Sequence, residues 1–309
     1  MDCSVIIPVY YNEGSLKATF AKVQAQLADS EHISSYEIIF IDDGSADNSY
    51  NELKEIKLAN HGIVKLIKLT RNFGQVAAMK AGYRLAKGRC IINISADLQD
   101  PPELINTMLN AFYEEKLEVV ICNRIDRNEN WYRKKTSRVF YKIMQKLTFK
   151  NMPTGGFDYA LISGRVADSF RHKNESNPFW QGQVLWGGYQ TKFISYQRLK
   201  REIGKSRWTF AKKIKYLIDG VLAYSYFPMR FMTGLGIVCF LGGILYALLI
   251  VLMYFIGNIP FKGWAPIMIL VLVLSGIQML MLGIIGEYLW RTLDQTRDRP
   301  AYLIDEIIE

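Results

Sequence analysis

Cys3-Ser-Val-Ile-Ile-Pro-Val-Tyr-Tyr-Asn-Glu13 is a short apolar run that ends abruptly in aromatic, amide and acidic side chains. Tyr36-Glu-Ile-Ile-Phe-Ile-Asp-Asp-Gly-Ser45 and Cys90-Ile-Ile-Asn-Ile-Ser-Ala-Asp97 repeat that form, and further apolar runs fall at 64–69 and 119–122. Runs of this length, rich in Val and Ile, are strand signals. Amphipathic stretches at 15–27, 49–58, 75–86 and 102–114 separate them. The alternation predicts βαβ units around a mostly parallel sheet, an α/β fold. In such sheets ligands collect beyond the carboxyl ends of the strands, so the polar residues that close each run form the candidate site.

The rest of the composition narrows the chemistry. Across 309 residues, 38 Lys and Arg against 29 Asp and Glu give a net charge of +9, which suits an anionic partner such as nucleic acid, anionic lipid or a phosphorylated substrate. Cys3, Cys90, Cys122 and Cys239 form no C-x-x-C pair, so neither a zinc site nor a disulfide framework is indicated. The first residues lack the basic and long apolar segments of a signal peptide, so the first domain is expected to stay where it is made. No G-x-G-x-x-G follows the first run and no Walker A sequence occurs, which counts against dinucleotide oxidoreductases and P-loop NTPases. His32, His61 and His172 lie outside every strand-end loop, leaving a His-based triad without a member.

Residues 231–261 and 263–286 contain no charged side chain, with Lys262 alone between them. About 20 residues at ~1.5 Å each cross a ~30 Å hydrocarbon layer, so two spans are expected at about 231–256 and 265–288. Arg230 and the Lys-rich stretch before it lie on one side, and Arg291, Arg297 and Arg299 return to that side after two crossings. The positive-inside rule then predicts an integral protein of the cytoplasmic membrane with the first domain and both termini cytoplasmic.

At the strand ends, a carboxylate such as Asp42 or Asp43 can accept hydrogen bonds from ribose or a base, and Gly44 lets main chain approach a ligand. The same residues also read as a turn capped by Ser45 or Asp47. Ser95, Asp97 and Gln99 alternate along a segment expected to be extended, which would turn three oxygen-bearing groups to one side. Asp97 and Gln99 suit a hard divalent cation completed by diphosphate and water. A helix start at Asp100 with Pro101 at its first position fits the same residues.

Val5-Ile-Ile-Pro-Val-Tyr-Tyr-Asn-Glu13, Ile41-Asp-Asp-Gly-Ser45, Arg71-Asn-Phe-Gly74 and Ala96-Asp-Leu-Gln-Asp-Pro-Pro-Glu103 together resemble the family-2 glycosyltransferases of GT-A fold, a Rossmann-like sheet. Within them the resemblance is to the polyprenyl-phosphate branch, which includes dolichyl-phosphate mannose synthases and bactoprenol glucosyltransferases. It implies that Pro8, Tyr10, Glu13, Asp42 and Asp43 hold the nucleoside, and that Asp97 and Gln99 hold Mg2+ or Mn2+ on the diphosphate. Family members often read Asp-Ala-Asp-Leu-Gln; Ser95 stands at the first Asp here, which leaves it a weak or water-mediated ligand. Gly155-Gly-Phe-Asp-Tyr159 resembles the segment whose Asp lies near the transferred sugar, so Asp158 is an expected catalytic residue. A phosphate acceptor with a second pKa near ~6 is already largely anionic, which favours an orienting role for Asp158 over that of a base. Residues 198–208 resemble the acceptor loop, which assigns Arg198, Ser206 and Arg207 to phosphate, with Arg124 a further candidate and Arg207 counted as catalytic.

The implied domains are a catalytic unit at 1–205, an amphipathic juxtamembrane helix at 206–229, the paired spans within 230–290 and a cytoplasmic tail at 291–309. Residues 131–150 hold seven basic side chains and no acidic one, an interfacial-helix pattern. With spans adjacent, a lipid bilayer rather than nucleic acid is the expected partner. The resemblance implies inverting transfer of one sugar from a UDP-glucose-like or GDP-mannose-like donor to a polyprenyl phosphate. A processive polysaccharide synthase and a non-catalytic nucleotide-sugar-binding scaffold remain alternatives. It also suggests a homo-oligomer such as a tetramer, to which 302–308 could contribute a strand.

Overall fold

The structure, a computed structural model, describes residues 1–126, 131–171, 175, 178–199, 210–256 and 265–309. Strand β1 (Cys3–Val9) is followed by α1 (Leu16–Ala28), β2 (Tyr36–Asp42), α2 (Ser49–Ala59), β3 (Val64–Leu69), α3 (Gln75–Leu85), β4 (Cys90–Asn93) and α4 (Leu104–Glu114). Next come β5 (Val119–Asp126), α5 (Trp131–Leu147), β6 (Tyr159–Ser163), α6 (Gly164–Arg171), α7 (Trp180–Trp186) and β7 (Thr191–Gln197). Helices α8 (Phe210–Tyr224), α9 (Phe227–Phe255) and α10 (Ala265–Thr296) precede a last strand, β8 (Ile304–Ile308). The chain divides into two compact units, Met1–Gly220 with Arg299–Glu309, and Val221–Asp298.

In the first unit the strands form one sheet in the order β7-β5-β6-β4-β1-β2-β3-β8. Parallel pairs join β1 to β2 and β4, β2 to β3, and β5 to β7, whereas β6 and β8 pair antiparallel to their neighbours. Hence β1, β2, β3, β4, β5 and β7 all point one way and their carboxyl ends share one edge. Strands this central are covered on both faces, which is why β1 and β2 read as continuous apolar runs rather than alternating ones. One face packs Val5, Ile7, Phe40 and Leu66 against Leu16, Phe20 and Val23 of α1 and against residues of α2 and α4. The other face meets α3, where a side chain at Gly82 would fall 2.8 Å from Ile6. Each fully buried Ile or Leu in these layers contributes about 1.5–3 kcal/mol.

Residues 291–296 continue α10, and 299–309 return to the first unit, where β8 pairs with β3 through Leu66↔Ile308, Ile67↔Ile307 and Lys68↔Glu306. Side chains reinforce the ladder: Tyr50 donates to Glu306 at 2.6 Å and Lys68 pairs with Asp305 at 2.7 Å. A strand at the tail is therefore present, and it completes the sheet of its own chain.

The second unit holds two helices long and apolar enough to cross a membrane, Phe227–Met253 with mean hydropathy 2.7 and Ile267–Thr296 with 2.6. Their side chains are exposed almost throughout, the reverse of a buried helical hairpin in a water-soluble core. Helix α8 falls within 206–229, the stretch expected to be an amphipathic juxtamembrane helix; residues 206–209 lie outside the described residues. On α5, Met144 is buried while Arg138, Val139, Lys142, Ile143 and Lys146 share the exposed side.

Candidate active site at the carboxyl edge of the sheet

The shared edge gathers the polar strand ends into one crevice. Its first half is built from the loops after β1, β2 and β3. Asp43 is 3% exposed; its carboxylate accepts the N–H of Phe73 at 2.7 Å and of Gly74 at 2.9 Å, and the Asn72 amide at 3.0 Å. Burial pushes its pKa up to about 6 against the pull of those donors. Asp42, fully buried and also raised by burial, accepts the Ser45 N–H at 3.2 Å. Gly44 has φ +70, and a Cβ there would lie 2.5 Å from the Arg71 carbonyl carbon. Only glycine lets the second and third loops touch in this way.

The first loop is tied to the second by similar means. Tyr11, at φ 56, donates its N–H to Ser45 Oγ at 3.0 Å, and Asn12 donates to Ser49 Oγ at 2.9 Å. Glu13 accepts the Asn48 N–H at 3.3 Å. Glu52 accepts the N–H groups of Gly14 at 2.8 Å and Lys17 at 3.1 Å, so a side chain of α2 caps α1. Pro8 and Tyr10 are half-buried in the same place. The five residues expected on the nucleoside are thus neighbours, though Asp43 commits both oxygens to the loop beside it.

The second half begins after β4. Residues 95–100 turn rather than extend, with Leu98 at φ 55, so the expected strand-like alternation of 95, 97 and 99 does not occur. The turn still gathers oxygens: Ser95 Oγ lies 2.9 Å from Asp97 Oδ1 and 2.7 Å from Asp100 Oδ2, and the Gln99 N–H meets Asp97 at 3.2 Å. Asp100 does not start a helix, since α4 begins at Leu104. Ser15, just before α1, and Thr19 within it donate to the Ala96 carbonyl at 3.1 and 2.9 Å, anchoring the turn.

Arg124 near the end of β5, Tyr196 opposite it on β7 and Asp158 just before β6 meet at this turn. Arg124 donates to Asp158 at 2.9 Å and to the Tyr196 hydroxyl at 3.2 Å, and lies 3.9 Å from Asp100. Burial opposes its charge, but Asp158 and Asp100 outweigh that and hold its pKa above the ordinary arginine value. Arg124, the further candidate for phosphate, is 7% exposed and sits inside this ion cluster. A Cβ on Gly155 would strike the Arg124 carbonyl, and Gly156, at φ +63, faces the Tyr141 ring; the paired glycines let Asp158 come this close. Gln181 of α7 donates to the Phe157 carbonyl at 2.5 Å and lies 3.4 Å from Asp158.

Arg198 has Nε 3.7 Å from Asp100 Oδ1. Ser206 and Arg207 lie outside the described residues. Asp100, Tyr196 and Gln181 were not anticipated; Tyr196 and Gln181 come from segments with no motif signal, and Asp100 read as a helix start. Gln183 of α7 donates to Glu175 at 2.6 Å.

Among the described residues no three or more His, Cys, Asp or Glu side chains are gathered to hold a metal by themselves. The chemistry of the donors present nonetheless fits a hard cation of the Mg2+ or Mn2+ type. The Asp97 carboxylate, the Gln99 amide oxygen and the Ser95 hydroxyl are all oxygen ligands, and such ions keep several positions for phosphate and water.

The family model described as glycosyl transferase family 2 matches residues 4–170, more than half of the chain. An uncharacterized glycosyltransferase of Synechocystis is 32% identical over 99% of this chain and 96% of its own. A bactoprenol glucosyl transferase of Shigella phage SfX is 29% identical over 98% of this chain and 99% of its own. Among solved structures, mannosyl-3-phosphoglycerate synthase from Rubrobacter xylanophilus superposes with a TM-score of 0.50 at 13% identity, over 72% of this chain and 73% of that one. That likeness concerns the fold, which is GT-A.

Proposed function

Because the chain belongs to glycosyl transferase family 2 and is a glycosyltransferase, we propose that it moves one sugar, with inversion, from a nucleotide-diphosphate sugar to a polyprenyl phosphate at the cytoplasmic face of a membrane. The observation that carries this reading is the end-to-end likeness to a bactoprenol glucosyl transferase. It covers the paired apolar helices as well as the crevice. The pairing of β8 with β3 supports an even number of crossings, since residues on either side of the helices share one sheet.

In this mechanism Pro8, Tyr10, Glu13 and Asp42 line the nucleoside pocket, with Asp43 fixing its floor. An oxygen of the lipid phosphate attacks the anomeric carbon as the bond to the nucleoside diphosphate breaks, and the departing oxygen keeps the electron pair. The acceptor is largely anionic above its second pKa of about 6, so no side chain has to remove a proton. Asp158, fixed by Arg124 and Gln181, orients the sugar. Asp97 and Gln99, with Ser95 as a weaker partner, would hold Mg2+ or Mn2+, whose charge offsets that on the leaving diphosphate. Arg198, Ser206 and Arg207 receive the lipid phosphate, a task that suits paired guanidinium donors.

The deciding experiment incubates the full-length protein in detergent with undecaprenyl phosphate, Mg2+ or Mn2+, and radiolabelled UDP-glucose or GDP-mannose. A lipid-linked monosaccharide with inverted anomeric configuration is expected. A polymer would favour a processive synthase, and nucleotide-sugar binding without product would favour a scaffold.

A further inference from the structure

Asp100 has no part in the reaction just described, yet it is 1% exposed and meets side chains from three separate stretches of chain. Oδ2 accepts the Ser95 hydroxyl at 2.7 Å; Oδ1 accepts the Tyr196 hydroxyl at 2.5 Å and faces Arg198 at 3.7 Å and Arg124 at 3.9 Å. Main chain repeats the connection: the Leu199 N–H donates to the Gln99 carbonyl at 2.9 Å, and Gln99 Nε2 donates to the Leu199 carbonyl at 3.4 Å. A buried carboxylate is costly unless it is paired and hydrogen-bonded. Asp100 does not cap α4, and all of these partners belong to the crevice.

We propose that Asp100 is a positioning residue that locks the turn 95–100 to Arg198, so that the diphosphate of the donor and the phosphate of the acceptor are presented by one bonded unit. This rests on the reading of Arg198 as a phosphate ligand. The Nε edge of the planar guanidinium is held toward the fixed Asp100 carboxylate by charge at 3.7 Å rather than by a hydrogen bond, which favours one direction for its remaining N–H groups. Without the charge on Asp100 that plane is free to turn, and the acceptor phosphate loses an aligned partner. The nucleoside pocket is held by the separate contacts of Asp42, Asp43 and Glu52, and is left intact.

The test compares full-length wild type, Asp100→Asn, Arg198→Ala and the double variant in detergent. Binding of farnesyl phosphate and of UDP is read for each by titration calorimetry. Asp100→Asn is expected to weaken farnesyl phosphate by about tenfold or more while UDP changes less than about twofold, and the double variant is expected to bind no worse than Arg198→Ala alone. Unchanged farnesyl phosphate affinity in Asp100→Asn overturns the proposal, as do losses that multiply in the double variant or no farnesyl phosphate binding by wild type. A merely structural role would lower the melting temperature and the competent fraction without moving the affinity. If Asp100→Asn does not fold, Arg198→Lys keeps the charge and removes the planar edge; affinity equal to wild type overturns the proposal equally. Neither reading needs turnover, so a wild type that binds farnesyl phosphate yet forms no lipid-linked sugar would count against the proposed reaction alone.

Discussion

In the half of the crevice after β1, β2 and β3, side chains grip main chain: Asp43 takes the N–H groups of Phe73 and Gly74, Glu52 those of Gly14 and Lys17, Ser45 that of Tyr11. In the half after β4, β5 and β7, side chains grip one another: Arg124 with Asp158 and Tyr196, Asp100 with Ser95 and Tyr196. Main-chain donors cannot turn away as side chains can, so the shape of the first half is fixed by the course of its loops. Guanidinium and hydroxyl groups are held by the carboxylates they face, so the second half keeps its arrangement only while those carboxylates stay charged and paired. In the proposed reaction, main-chain contacts would shape the nucleoside site and paired side chains the phosphate site.

Substitutions should separate the halves. Asp97→Ala has the largest expected effect, a fall in turnover of more than about a thousandfold, because the developing charge loses its counter-charge; steady-state rates at saturating substrates within twofold of wild type would remove Asp97 from the chemistry. Arg124→Met comes next. It removes a counter-charge from the buried Asp100, which is 1% exposed, costing about 3–5 kcal/mol in denaturant unfolding, and a loss under 1 kcal/mol would mean that the cluster is not held by charge. Asp43→Ala leaves two main-chain N–H groups without an acceptor, at about 2–3 kcal/mol, and should raise the donor KM while sparing the acceptor KM.

The smallest effect is on pH. Asp43 has a folded pKa of about 6, above the ordinary 3.8, so its protonation favours the fold; that contribution is complete below 3.8 and is lost as pH rises through about 6. Glu37, at the opposite edge of the sheet, behaves with the other sign. Burial alone would raise its pKa, but Lys65 at 2.7 Å, Ser4 and the Lys87 N–H prevail and lower it below 4.5. Its contribution is present above 4.5 and fades as pH falls. Thermal melts from pH 7 to 5 should therefore show wild type gaining about 1 kcal/mol relative to Asp43→Asn, whereas Glu37→Gln should lose its deficit only below pH 4.5.

The first half was legible in the sequence because each loop follows an apolar strand whose ends a reader can find. Strands β1 and β3 fall where the apolar runs begin and end, and the contacts of Pro8 to Glu13 with Asp42 to Ser49 are set by adjacent parallel strands. The second half was legible only in its motifs. That β5 lies beyond an antiparallel β6 depends on tertiary pairing, so the meeting of Arg124 with Asp158 had no local signature. Leu98 at φ 55 is a further case: nothing in Ala96-Asp-Leu-Gln99 announces a positive φ, and the expected extended segment is a turn instead.

Strand β8 has a consequence for biosynthesis. It is last in chain order, yet β3, its neighbour in the sheet, is among the first strands to leave the ribosome. Until residues 304–308 arrive, that border offers a row of unsatisfied amides to any passing strand. Translation that stalls within the apolar helices leaves an unfinished sheet, so the catalytic unit matures only once everything between its two parts has been made.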